Sequence, residues 1–114
     1  MSTCATSQGI DNSGAVFPLR TRAGIDLIFE IGVDDEAGQP MDLTGYTAFA
    51  EVNDGTTVHI LTTDISGDKI SVHLAGALTA ILPPMNRYSV EVVSPTGIRY
   101  SLCYGPLTIE GSFH

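Results

Sequence analysis

The sequence predicts an all-β fold, an immunoglobulin-like antiparallel β-sandwich of about seven strands. Three observations predict it. Apolar and polar side chains alternate with period two over most of residues 25–104. Turn-forming residues recur about every 8–12 positions between those runs. Only one short segment carries helical spacing. The 114 residues suit one domain with a single core.

Residues 1–14 are small and polar, with Gly9 and Gly14 as breakers and no hydrophobic period. They read as the start of an extended N-terminal arm over residues 1–22, followed by a sandwich domain over residues 23–114. Within 15–22, Pro18 blocks a helix and restricts Phe17 to extended conformations. This stretch is either an edge strand of the same domain or an extended peptide that pairs with a neighbouring subunit. In the second case Phe17, Leu19, Arg20 and Arg22 are its partner-binding residues, the apolar pair setting register and the arginines seating against acidic neighbours.

Residues 25–33 alternate, with Leu27, Phe29, Ile31 and Val33 on one face. The acidic run Asp34, Asp35, Glu36 and the Gly38-Gln39-Pro40 turn end that strand. Residues 46–53 place Tyr46, Ala48, Ala50 and Val52 together, and Asn53-Asp54-Gly55 turns the chain into a hairpin with residues 56–62. After Ser66-Gly67-Asp68, Ile70, Val72 and Leu74 face inward. Residues 75–82 have the spacing of one or two helical turns ended by Pro83-Pro84, and form a plug at one end of the core. Strands resume at 87–94 and 98–104, joined by Pro95-Thr96-Gly97, with Tyr88, Val90 and Val92 on one face, and Ile98, Tyr100, Leu102 and Tyr104 on one face of the other. Gly105-Pro106 interrupts before a last strand over 107–113.

Thirteen acidic against five basic side chains give a net charge of -8, which excludes phosphate neutralisation as the main attraction and makes nucleic acid a poor partner. Residues 1–14 hold no basic residue followed by an apolar run, so neither a secretory signal nor a membrane helix is expected, and synthesis in a cytoplasm is. The two cysteines, Cys4 and Cys103, lack metal-knuckle spacing. A buried Cys103 thiol with a free Cys4 is favoured over a bridge between them, because Cys4 sits among Ser, Thr, Gln and Gly.

No G-x-S-x-G, H-E-x-x-H or G-x-x-x-x-G-K motif is present, so no catalytic residue and no cofactor is expected. His59 and His73 fall opposite Val58/Ile60 and Val72/Leu74, toward solvent or a partner, without the further ligand that zinc requires. Asp34, Asp35 and Glu36 lack the alternating acids, central Gly and late Glu of an EF-hand loop, so no metal site is expected there either.

Residues 34–46, D-D-E-A-G-Q-P-M-D-L-T-G-Y, resemble the D-x-x-G-x-P-x-D-L-T-G-Y stretch of small tailed-bacteriophage structural proteins, among them the N-terminal domains of baseplate upper proteins. R-A-G-I-D-L-I-F-E-I is similar to the opening strand of that family, and Y-S-V-E-V-V-S-P-T-G-I-R-Y-S-L-C-Y-G-P-L-T-I to its closing pair, so the resemblance spans residues 22–109. The residues themselves explain a corner. Asp42 can accept backbone N–H groups, Leu43 can plug, and Gly45 permits the bend into the next strand.

The resemblance implies a virion structural protein of a tail, baseplate, fibre adaptor or capsid decoration, made in the host cytoplasm. Its partners would be other virion proteins, with a homo-oligomer in the assembled particle and no nucleic acid or membrane. Because the chain ends at His114 without the long further segments of baseplate upper proteins, an adaptor, decoration or collar role is expected rather than host recognition. Two other readings stay open: a small ligand- or carbohydrate-binding module, which the absence of Trp disfavours, and a hydrolase using Asp34, Asp35 and Glu36.

Overall fold

The computed structural model describes residues 2–6, 15–16, 18–33 and 39–112, the first two segments by backbone alone. Alternation along the chain places apolar side chains on one face of each strand, and two such faces close on each other. Strands β1 (Ser2–Thr6), β4 (Leu27–Val33), β8 (Lys69–Leu74) and β7 (Thr62–Ser66) form sheet A in the order β1-β4-β8-β7. Sheet B runs β2-β10-β9-β5-β6, built from β2 (Ala15–Val16), β10 (Arg99–Glu110), β9 (Met85–Val93), β5 (Thr47–Asn53) and β6 (Val58–Ile60). Strand β3 (Leu19–Arg22) also pairs with β10. The expected all-β sandwich is what forms, with ten strands among the described residues rather than about seven.

Its core joins Phe29, Ile31 and Val33 of β4 with Ile70, Val72 and Leu74 of β8 on one side. Ala50 and Val52 of β5, Tyr88, Val90 and Val92 of β9, and Leu102, Leu107 and Ile109 of β10 close it from the other. Phe29 meets Tyr88 edge to face across the two sheets, with centroids 5.8 Å apart and planes at 71°. Burial pushes the Tyr88 hydroxyl up to about 12, and that hydroxyl lies 3.1 Å from Cys103 Sγ. Cys103 is fully buried and disulfide-bonded, which corrects the expectation of a buried free thiol. The sequence's other cysteine, Cys4, stands opposite Ile31 in β1.

Three local departures from the sequence reading have physical causes. A register shift between Ser101 and Cys103 buries Leu102 and Cys103 in succession, so Tyr104 turns to the outer face instead of sharing the inner one. Gly105-Pro106 does not interrupt the last strand: β10 runs through to Glu110. Ile109 N donates to Pro84 O, so the even-numbered positions of β10 address β2 and β3. The donor that Pro106 lacks therefore faces the gap between β2, paired at 103–104, and β3, paired at 107–110. Finally, the run after the hairpin does not stay in one sheet. Leu61 N still bonds Ala50 O, and the chain then leaves as β7 for sheet A.

The helical segment is shorter than its spacing suggests, with α1 limited to Gly76–Thr79, but it plugs the core through buried Thr79 and Leu82. It is stapled to the loop before β4. Asp26 bonds His73 Nε2 at 2.8 Å and accepts Gly76 N at 2.6 Å, and the His73 bond first, then the Gly76 bond, holds its carboxyl below the usual range. Thr79 Oγ1 accepts Gly24 N at 3.1 Å and donates to Ile25 O at 2.9 Å. The corner at 42–45 is as the sequence indicates. Asp42 Oδ1 accepts the Thr44 hydroxyl at 2.6 Å and Thr44 N at 2.9 Å, Leu43 is 1% exposed, and Gly45 adopts a φ of 84°.

Two glycines give measurable expectations. At Gly45, whose φ is positive, a Cβ would lie 3.0 Å from Pro95 Cγ. Gly45→Val should therefore lower stability by about 1–3 kcal/mol in urea unfolding, and an unchanged midpoint would refute the corner. At Gly76 a Cβ would lie 2.5 Å from Gly24 O and 2.8 Å from Asp26 Oδ1. Gly76→Ala should destabilise by about 1–3 kcal/mol, because backbone rather than a flexible side chain must yield; a melting temperature equal to the parent's would show that no staple exists.

Candidate docking edges

A closed sandwich offers a partner its outer faces and its rims. Of the residues singled out in the sequence for partner binding, Phe17 lies outside the described residues. Leu19 is 3% exposed and belongs to the core, so it is spent on the fold and unavailable to a partner. Arg20 and Arg22 are exposed on β3, where Arg20 Nη1 bonds Glu110 Oε1 at 3.1 Å. Residues 19–22 are thus an edge strand of the same sheet, parallel to β10, and the sheet begins before the boundary drawn after Arg22. Asp34, Asp35 and Glu36 lie outside the described residues.

The opposite rim of sheet B is β6, which the sequence pattern misassigned. Val58 and Ile60 are 48% and 75% exposed, whereas His59 turns inward as the register partner of buried Val52. His59 Nε2 lies 2.9 Å from Asp54 Oδ2, and that bond, followed by the backbone N–H groups of Thr57 and Thr56, lowers the Asp54 carboxyl to about 2. The consecutive apolar pair Ile60-Leu61 was the available signal, since adjacent residues of a strand cannot share a face. Leu61 takes the core and Ile60 is left outside.

The outer face of sheet B carries a shallow polar depression of about 470 Å³ bordered by Glu51, Asn53, Arg87, Glu91 and Tyr104. Beside it Arg99 bonds Glu91 at 3.3 Å and covers the Phe49 ring at 5.3 Å. His59 and His73 border a second depression of about 320 Å³. Each imidazole is engaged by its own aspartate. Among the described residues no group of three or more metal-ligating side chains occurs, and no helix is long and apolar enough to cross a membrane.

By fold this is a two-sheet β-sandwich domain. In particular, it is similar to a solved structure of the N-terminal domain of phage TP901-1 ORF48, with a TM-score of 0.54 over 96% of this chain and 99% of that one, at 14% sequence identity. At that identity the likeness is one of fold. No family model matches the sequence, and no curated protein does.

The Asp54 geometry predicts an acid limb. Its carboxyl is depressed in the folded chain, so it contributes stability that is present above the ordinary carboxylate value of 3.8 and is lost as pH falls toward about 2. Asp54→Asn should flatten the loss of stability between those values in chemical unfolding, and an identical acid profile in parent and variant would refute the pairing.

Proposed function

We propose that this chain is a non-enzymatic structural component of a tailed-bacteriophage particle, within a tail, baseplate, fibre-adaptor or capsid-decorating assembly, and that it acts by protein–protein docking at its sheet rims. One observation supports the reading: 96% of the chain is similar in fold to the N-terminal domain of phage TP901-1 ORF48. Its rims support the mode of action. Sheet B ends in β6 on one side and in β2 and β3 on the other, with no further strand of that sheet among the described residues, and β6 and β3 present exposed side chains. Open strands are surfaces that proteins ordinarily blunt, unless another chain completes them.

The polar depression on sheet B favours a second reading, a small-ligand or carbohydrate-binding module, since carboxylates, an amide, a guanidinium and Tyr104 line it. Mass spectrometry of gradient-purified particles from the encoding strain separates the two. The structural reading expects the chain in the particle at a fixed ratio to the other virion proteins. Absence from particles, together with a saccharide-dependent rise in melting temperature, would replace it with the second.

A further inference from the structure

The two rims of sheet B differ in chemistry. At the β6 rim, the bond from Leu61 N to Ala50 O fixes the phase of the ladder. His59 and Leu61 address β5, so the N–H and C=O groups of Val58 and Ile60 face the open side. Their side chains are exposed on the outer face of the sheet, where the register places Glu51 beside Ile60. Asp54 lies just beyond, in the hairpin turn.

At the β3 rim, Arg20 and Arg22 are exposed. Following register partners from Arg20 to Thr108, Met85 and then along β9 to Ser89, Glu51 and Ile60 shows that the arginines share one face of the sheet with Val58 and Ile60. Arg22 has no ion-pair partner among the described residues. The same chain of pairings makes β6 antiparallel to β3, so a copy added in the same orientation continues an antiparallel ladder.

We propose that β6 of one copy docks against β3 of the next, extending sheet B from molecule to molecule. The aliphatic stems of Arg20 and Arg22 then cover Val58 and Ile60, and their guanidinium groups reach Glu51. Charge selects this pairing over a two-fold union of β6 with itself. That union brings only the Glu51 carboxylates, each beside its own Ile60, to one face of the seam with no cation to answer them, in a chain whose net charge is already -8. The contact is heterologous, so repetition gives a ring or a stack. The proposal rests on the docking reading above and names its partner as a second copy.

Sedimentation equilibrium of the full chain up to about 1 mM tests it. The expected result is concentration-dependent association, weakened about tenfold or more by either Ile60→Lys or Arg22→Glu, with Val58→Lys as a second rim variant should the first misfold. Mixing Ile60→Lys with Arg22→Glu should form a dimer that grows no further, since each retains one intact rim. A parent chain that stays monomeric throughout would overturn the proposal, as would an Arg22→Glu variant that associates like the parent. A chain that is monomeric in solution yet present in particles would overturn this inference and leave the docking function standing.

Discussion

Two apolar faces pressed together are the constraint on which the rest of this structure depends. Phe29, Ile31 and Val33 from one sheet meet Tyr88, Val90 and Val92 from the other, all within 3% of full burial. Burial of side chains this size is the dominant favourable contribution to folding. The Phe29–Tyr88 contact adds a directional element, edge against face, that fixes how the sheets are set on each other. With both inner faces consumed in this way, the molecule retains outer faces and rims for any other task.

Polar groups do the complementary work of closing the ends. The carboxylates of Asp26, Asp42 and Asp54 each accept backbone N–H groups in a turn or loop. Asp26 and Thr79 together tie the chain between β3 and β4 to α1, so the plug and the strand entry hold one another. Gly76 permits the close approach, and the buried Thr79 hydroxyl spends its capacity on backbone partners. The acidic excess of the composition therefore has partly structural uses, at positions where a carboxylate satisfies a turn.

The interior is filled, and the carboxylates of Asp42 and Asp54 are occupied by turns. The hairpin histidine is held by its own turn aspartate, and His73 by the staple. Open strands, by contrast, carry unpaired main-chain donors and acceptors, and the side chains beside them set which neighbour fits.

By itself the sequence determined the local terms. Period two marked β4, β5, β8 and β9 with their inward residues, and Asp42, Leu43 and Gly45 built the corner read from them. These succeed because alternation and turn chemistry act between residues a few positions apart. Only the tertiary structure decided the rest. It assigned Leu19 to the core and the arginines beside it to an open rim, inverted β6 so that Ile60 faces out, and moved Tyr104 outward through the Leu102–Cys103 irregularity. Each of these depends on which strand lies alongside which, a contest among partners distant in the chain and settled by the packing of both sheets at once, where no local pattern carries the information.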